Sequence, residues 1–429
     1  MTLFSYLDLI KFIIFLNLIL FDKKLNIFPE YVHPFYLPYN RPIIFTNKTQ
    51  NETLINGRIF LDLCLNFHND KKYKLLYPPK VTVIIPLFNC ENTIEPTLHS
   101  VQYQNISDLE IILVNDFSID NTTKIIKNHQ KNDNRIKIIN NFKNMGTLYS
   151  RSIAALISKG EYIFNLDNDD LYFNYDVLDF IYGIGKNENL DIINFQAIKI
   201  WNYSTDIISM RNIFTYQYPE ELYLEQPELG VWMIKHEGKF LVHNNMIWDK
   251  CIRSSIYKKA VNLIGFKKYS KFLSWAEDTS INFVILNLVK SFKYIKRYGL
   301  VHFIGNKTAS FTQPVSTKLF GEIFFLDIMF DFSRNNSYDK NLIIGQALYI
   351  SKRYKYYSII NDTNNFYYLK SVLVKIINCK YLSKLNNRKI KKLFSAFFIY
   401  TFFILYLFQI NTQKFPLLYK KINNFCGDW

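Results

Sequence analysis

The sequence predicts an α/β fold, a Rossmann-like and mostly parallel sheet flanked by helices, with a helical extension at its C-terminal end. Three observations carry that prediction. Continuous apolar runs alternate with amphipathic stretches between residues 80 and 166. The runs lack the in–out alternation of a half-solvated strand, as parallel strands covered on both faces do. Polar and acidic segments follow directly after the runs, where parallel sheets place their ligands.

Residues 81–86 (V-T-V-I-I-P) read as a buried strand ending at a proline. Residues 92–104 have helical spacing, with Ile94, Leu98 and Val101 on one face and Asn92 as the cap. Residues 109–115 (L-E-I-I-L-V-N) form the next strand, 122–130 a helix and 135–140 a third, short strand. A helix over 148–158 leads into a fourth strand at 161–166 (E-Y-I-F-N-L). From Val315 to about Arg388 the pattern turns helical without further strands.

The 429 residues allow one large catalytic domain with appendages, and 49% hydrophobic residues supply a core for it. The net charge of +16 suits a nucleic acid, an anionic lipid or a phosphorylated substrate. The basic residues are spread thinly and build no nucleic-acid module, so no nucleic-acid partner is expected. Five separated cysteines, with no C-x-x-C pair, give neither a disulfide framework nor a cysteine zinc site.

Two apolar stretches flank this unit. Residues 9–21 are short for a membrane span and lack a signal-peptide cleavage site; a signal anchor (1–22), an interfacial helix and an uncleaved leader all fit. Residues 393–410 are nearly free of charge and follow the basic residues Arg388, Lys389, Lys391 and Lys392. They read as a transmembrane or membrane-surface helix (391–411), with a buried helix as the alternative. The expected order is an irregular stem over 23–78, the α/β domain over 79–311, a helical extension over 312–390, the apolar helix, and a tail over 412–429. Charges beside both apolar stretches favour a membrane-associated protein with its middle on the cytoplasmic side.

Pro86-Leu87-Phe88-Asn89 follows the first strand, Asn115-Asp116-Phe117-Ser118 the second, and Asp167-Asn168-Asp169-Asp170 the fourth. Three carboxylates within four residues repel one another unless a cation neutralises them. A hard divalent ion, Mg²⁺ or Mn²⁺, that shares its ligands with substrate phosphates is the natural partner.

V-T-V-I-I-P-L-F-N, V-N-D-F-S-I-D-N-T, N-M-G-T-L-Y-S-R and G-E-Y-I-F-N-L-D-N-D-D occur in that order over about ninety residues. The ordered set resembles the family-2 glycosyltransferases. The resemblance implies a GT-A fold, a nucleotide-diphosphate sugar as donor (UDP being the commonest), a divalent metal and inversion at the anomeric carbon. It places Phe88 against the nucleotide base, Asp116 on that base and Arg151 near the phosphates, and counts Pro86 among the residues that bind the nucleotide sugar. Asp167, Asp169 and Asp170 become the metal site, with Asp167 also at the nucleotide. Either Asp169 or Asp170 can be the direct ligand. Asn115 stands where the family usually carries a second Asp. The resemblance also implies a base within an E-D pair farther on, here Asp278, with Glu277 orienting it or touching the acceptor. Trp275 is a candidate for stacking on a sugar. Trp248, Lys250 and Arg253 lie in a stretch resembling one that frames the acceptor or the diphosphate. His302 is a candidate near the phosphates or metal.

The Q-x-x-R-W motif of processive synthases is absent, which implies single transfers to a glycan, lipid or glycoconjugate acceptor. A sugar-nucleotide pyrophosphorylase would carry a glycine-rich basic loop where this chain has Leu87-Phe88-Asn89-Cys90-Glu91. The rival from another class is a catalytically inactive, membrane-associated scaffold that keeps the fold for binding.

Overall fold

β1 (Val81–Leu87) is buried at every position, as its unbroken apolar run requires. The computed structural model describes residues 60–61, 63–64, 78–201, 214–215, 222–225, 233–236, 239–242, 246–265, 275–304 and 314–335. The expected segments at 1–22 and 391–411, the tail, and the extension beyond 335 lie outside the described residues. Among the described residues no helix is long and apolar enough to cross a membrane.

After β1 come α1 (Ile94–Gln102), β2 (Leu109–Asn115), α2 (Thr122–Asn132), β3 (Ile136–Asn140), α3 (Thr147–Ile157) and β4 (Tyr162–Asn165). Thr93, not Asn92, caps α1, and it makes no side-chain cap bond. The helix starts later because the backbone N–H groups of Thr93 and Ile94 both turn back onto the Cys90 carbonyl.

These four strands are parallel in the order β3-β2-β1-β4. The chain leaves β1 toward β2 and β3, then returns to the other side of β1 as β4. The loops after β1 and β4 therefore diverge, opening the crevice in which such sheets bind ligands. Pro86 lies past the last β1–β4 rung, at Ile84 and Asn165, so its missing N–H removes no ladder bond.

β5 (Leu171–Tyr172), α4 (Val177–Asn187) and β6 (Ile192–Trp201) follow. β7 (Phe214–Thr215) pairs with β6. β8 (Leu222–Glu225) pairs with a later strand, while β9 (Met233–His236) and β10 (Lys239–Val242) pair with each other. β11 (Lys250–Arg253) runs antiparallel between β4 and β6, which turns a parallel half-sheet into a mixed one. α5 (Ser254–Ile264), α6 (Glu277–Leu286), β12 (Ser291–Ile304) and α7 (Val315–Asn335) complete the described elements. β12 is parallel to β6 and antiparallel to β5 and β8.

The core holds the apolar faces of β1, β2 and β4 with Tyr162, Phe164, Tyr172, Phe195 and Trp248. Phe60, Leu61 and Cys64, from the stretch expected to be an irregular stem, are buried too. The Cys64 carbonyl lies 3.1 Å from His99 Nδ1 on α1.

Candidate active site

The loops after β1 and β2 are tied to each other. Asn89 N–H donates to Ser118 Oγ (3.0 Å), and Ile119 N–H donates back to Asn89 Oδ1 (2.9 Å). Glu91 Oε2 accepts from the Asn121 backbone (2.9 Å) and amide (2.8 Å). Asn89 and Phe117 both hold positive φ, a conformation uncommon outside glycine that these bonds sustain. The result is a rim with two half-exposed rings, Phe88 and Phe117. Phe117 had no sequence signal, because exposure of an aromatic ring is not written in its neighbours.

Asn115 donates its amide to Thr123 Oγ1 and Asn140 Oδ1, both at 3.0 Å, and accepts from Ser118 N–H. A carboxylate has no proton to donate to these two oxygens, so asparagine suits this position. Asp116 is buried and accepts from Asn141 Nδ2 (2.7 Å), Met145 N–H (2.8 Å) and Gly146 N–H (2.7 Å). It thus shapes the turn into α3, where Gly146 adopts φ 85°. Asn141, which sequence reading passed over, links Asp116 to Ser150 of α3.

The segment after β4 is a tight acidic turn. Asn168 faces away from the acids: its amide donates to the Pro86 carbonyl (3.0 Å), and its own carbonyl accepts from Thr97 (3.1 Å). Pro86 therefore enters the site as an anchor for this turn. One oxygen from each of Asp167, Asp169 and Asp170 lies within 4.8 Å of the others. Asp170 is wholly buried, accepting from Phe303 N–H (3.1 Å) and facing His302 Nδ1 at 2.9 Å. Trp248 stacks on His302 with centroids 4.9 Å apart.

Arg151, on α3, joins this turn to the start of α6. It is buried, and its guanidinium donates to Asp167 Oδ1, to Asp278 Oδ1 and, at 3.1 Å, to Glu277 Oε1. Among the described residues its Nε has no hydrogen-bond partner. Ala276, just before α6, takes φ 58°. Glu277 and Asp278 sit inside the first turn of α6, whose N-cap residue, Ala276, has no polar side chain to cap it. Negative charge there is favoured by the helix dipole.

Burial pushes Glu277 up to about 8, with Asp278 adding to the rise and Arg151 opposing it. Burial likewise raises Asp278 to about 6; Arg151 lowers it and Asp167 raises it. Asp169 is pushed up to about 8 by burial and then by Asp170 and Asp167. For Arg151 burial works against the charge, but the three carboxylates outweigh it and hold the proton. Among the described residues five acids here face Arg151 and His302, and the charge of Lys250, itself paired with Asp249, also reaches Asp278. An all-oxygen donor set with surplus negative charge fits a hard divalent cation.

Three acceptor candidates are corrected. Trp248 is 2% exposed and stacked on His302, so its ring is enclosed and does not frame an acceptor or a diphosphate. Lys250 is wholly buried, donating to the Met246 carbonyl and to Asp249 Oδ1 (2.7 Å), because β11 lies inside the sheet. Arg253 binds Asp191, Asn189 and the Leu190 carbonyl, and lies over the ring of Tyr162. Trp275 is half-buried beside α7: its Nε1 donates to Glu322 (3.4 Å) and Lys318 covers its ring.

Residues 82–243 match the model of a family described as glycosyl transferase family 2. Over these residues the chain is similar to the family-2 glycosyltransferases. The glycosyltransferase EpsJ of Bacillus subtilis (strain 168) is 28% identical over 205 residues, which are 48% of this chain and 55% of EpsJ. The GalNAc(5)-diNAcBac-PP-undecaprenol beta-1,3-glucosyltransferase of Campylobacter jejuni is 38% identical over 93 residues, 21% of this chain and 30% of its own. The chain thus spans about half, or less, of the curated relatives it matches. The crystal structure of S. aureus TarS 1-349 in complex with UDP-GlcNAc has a TM-score of 0.46 at 17% identity, covering 67% of this chain and 75% of that one. The acidic turn, Asp116 and Arg151 all fall inside the matched residues, whereas Glu277 and Asp278 lie beyond them.

Proposed function

We propose that this protein transfers a sugar from a nucleotide-diphosphate sugar, UDP-linked in the commonest case, to a hydroxyl group, with inversion and with help from Mg²⁺ or Mn²⁺. One observation carries the reading: Arg151 gathers Asp167 of the acidic turn and the Glu277–Asp278 pair into one buried cluster.

The half-exposed Phe88 offers a ring face to the nucleotide base at the switch point of the sheet. Asp116 has spare lone pairs beyond its three bonds, since a carboxylate accepts about four. Asp167 and Asp169 would hold the cation, with Asp170 kept in place behind them by His302 and Phe303. A cation bound there would supply positive charge to offset the negative charge of the leaving diphosphate. Asp278, with a pKa near neutrality, takes the proton of the acceptor hydroxyl as its oxygen attacks the anomeric carbon. The new C–O bond forms as the bond from that carbon to the diphosphate breaks, and Arg151 is placed to follow the negative charge. Glu277, still protonated at pH 7, donates to or orients the acceptor.

The undecaprenol-linked acceptor in the name of the C. jejuni relative supports a glycan, lipid or glycoconjugate acceptor and association with a membrane. The deciding experiment is a screen of UDP- and GDP-sugars, reading nucleotide release with and without Mn²⁺. Metal-dependent release from one donor class supports the reading. Metal-independent UDP binding with no turnover of any donor would leave the inactive scaffold in its place.

A further inference from the structure

The geometry points to a second metal site, of the zinc class, between α1 and α2: Glu95 and His99 on one helix, His129 on the other. One donor atom of each lies within 4.8 Å of the other two. Glu95 and His99 are four residues apart, so they project from the same face of α1. His129 comes from the last turn of α2, with its ring centroid 5.3 Å from that of His99.

The hydrogen bonds behind the two rings decide what the front atoms can do. His99 Nδ1 meets the carbonyl of Cys64 at 3.1 Å, and a carbonyl only accepts, so Nδ1 carries the proton. His129 Nδ1 meets Gln102 Oε1 at 2.8 Å. The Gln102 amide cannot be reversed, because its Nε2 donates to Asp133 Oδ2 at 3.0 Å, and Arg135 holds that same carboxylate. His129 Nδ1 therefore carries the proton as well. In both neutral rings the lone pair lies on Nε2. Zinc-binding histidines are built this way, with the far N–H given to a carbonyl or carboxyl that sets tautomer and ring angle.

Two imidazoles and a carboxylate are a borderline donor set that prefers Zn²⁺ over Mg²⁺ or Mn²⁺. Zinc bonds of roughly 2.0–2.2 Å set tetrahedral donors roughly 3.4 Å apart, so these donors, with His129 Nε2 and Glu95 Oε1 now 4.0 Å apart, draw together on binding. The site is separate from the all-oxygen acidic turn, and α1 connects the two: Thr97, between Glu95 and His99, holds the Asn168 carbonyl.

The test is titration of the full, untagged chain with Zn²⁺ in excess Mg²⁺, followed by calorimetry and by the visible absorption of Co²⁺ in its place. One zinc per chain is expected. Its affinity should fall about tenfold or more in both His129→Ala and Glu95→Gln, and stay unchanged in Asp169→Asn. Glu95 is 43% exposed, so its substitution leaves the fold intact. The proposal is overturned if Glu95→Gln and His129→Ala both bind zinc as wild type does. It is overturned equally if zinc binding disappears only in Asp169→Asn, or if wild type binds none.

Discussion

The guanidinium of Arg151 donates directly to Asp278, although 127 residues separate them in the chain. α3 supplies the arginine and the strained entry to α6 supplies the acid. This one pairing links the domain matched by the family to the residue that would act as its base.

Asp278→Asn should lower transfer by at least about 10²-fold, the usual worth of a positioned base, while UDP binding stays close to wild type. Transfer rates and nucleotide affinity measured side by side check this. An unchanged rate would remove Asp278 from the role.

Arg151→Gln should destabilise the fold by about 3–5 kcal/mol, because it leaves buried carboxylates without their cation. Denaturant unfolding reads the loss. Added Mn²⁺ should recover part of it, since the acids left behind would then share a divalent ion.

The pH dependence has two parts. With Asp278 near 6, kcat/KM should rise with pH up to about 6 and then level off, and this limb should be missing in Asp278→Asn. Stability runs the other way. Glu277 and Asp169 have folded pKa values of about 8, above their ordinary 4.5 and 3.8. The metal-free fold therefore takes up protons relative to the unfolded chain. Its stability is greatest below about pH 4 in these two groups and declines as pH rises to about 8. Mn²⁺ binds the ionised acids, so its gain in Tm should be larger at pH 8 than at pH 6, and Asp169→Ala should reduce it.

Gly321→Ala should unsettle α7. A Cβ there would lie 2.0 Å from the Trp275 carbonyl, which is backbone and cannot swing aside. A loss of about 1–3 kcal/mol is expected from such overpacking. Thermal unfolding measures it, and a fall in transfer should accompany it, because Trp275 lies two residues before Glu277.

Much of the first half of the domain was legible. β2 runs Leu109–Asn115 as its apolar run predicts, and β1 extends one residue beyond the expected end. Strands there are covered on both faces, so burial is visible as an unbroken apolar run. The second half was not. Lys250 and Trp248 resemble residues that would face an acceptor, yet β11 inserts between β4 and β6 and encloses both. A lysine paired with its neighbour Asp249 has the same sequence texture inside a sheet as outside it.

By itself, the sequence determined the alternating elements, the loops that end the parallel strands, and the acidic turn Asp167–Asp170. Each follows from local periodicity and from charge placed after an apolar run. Only the tertiary structure decided that Arg151 serves three carboxylates, that Trp248 holds His302 against Asp170, and that His99 and His129 face each other. Those relations depend on strand order and helix docking, which bring together residues that no local pattern couples.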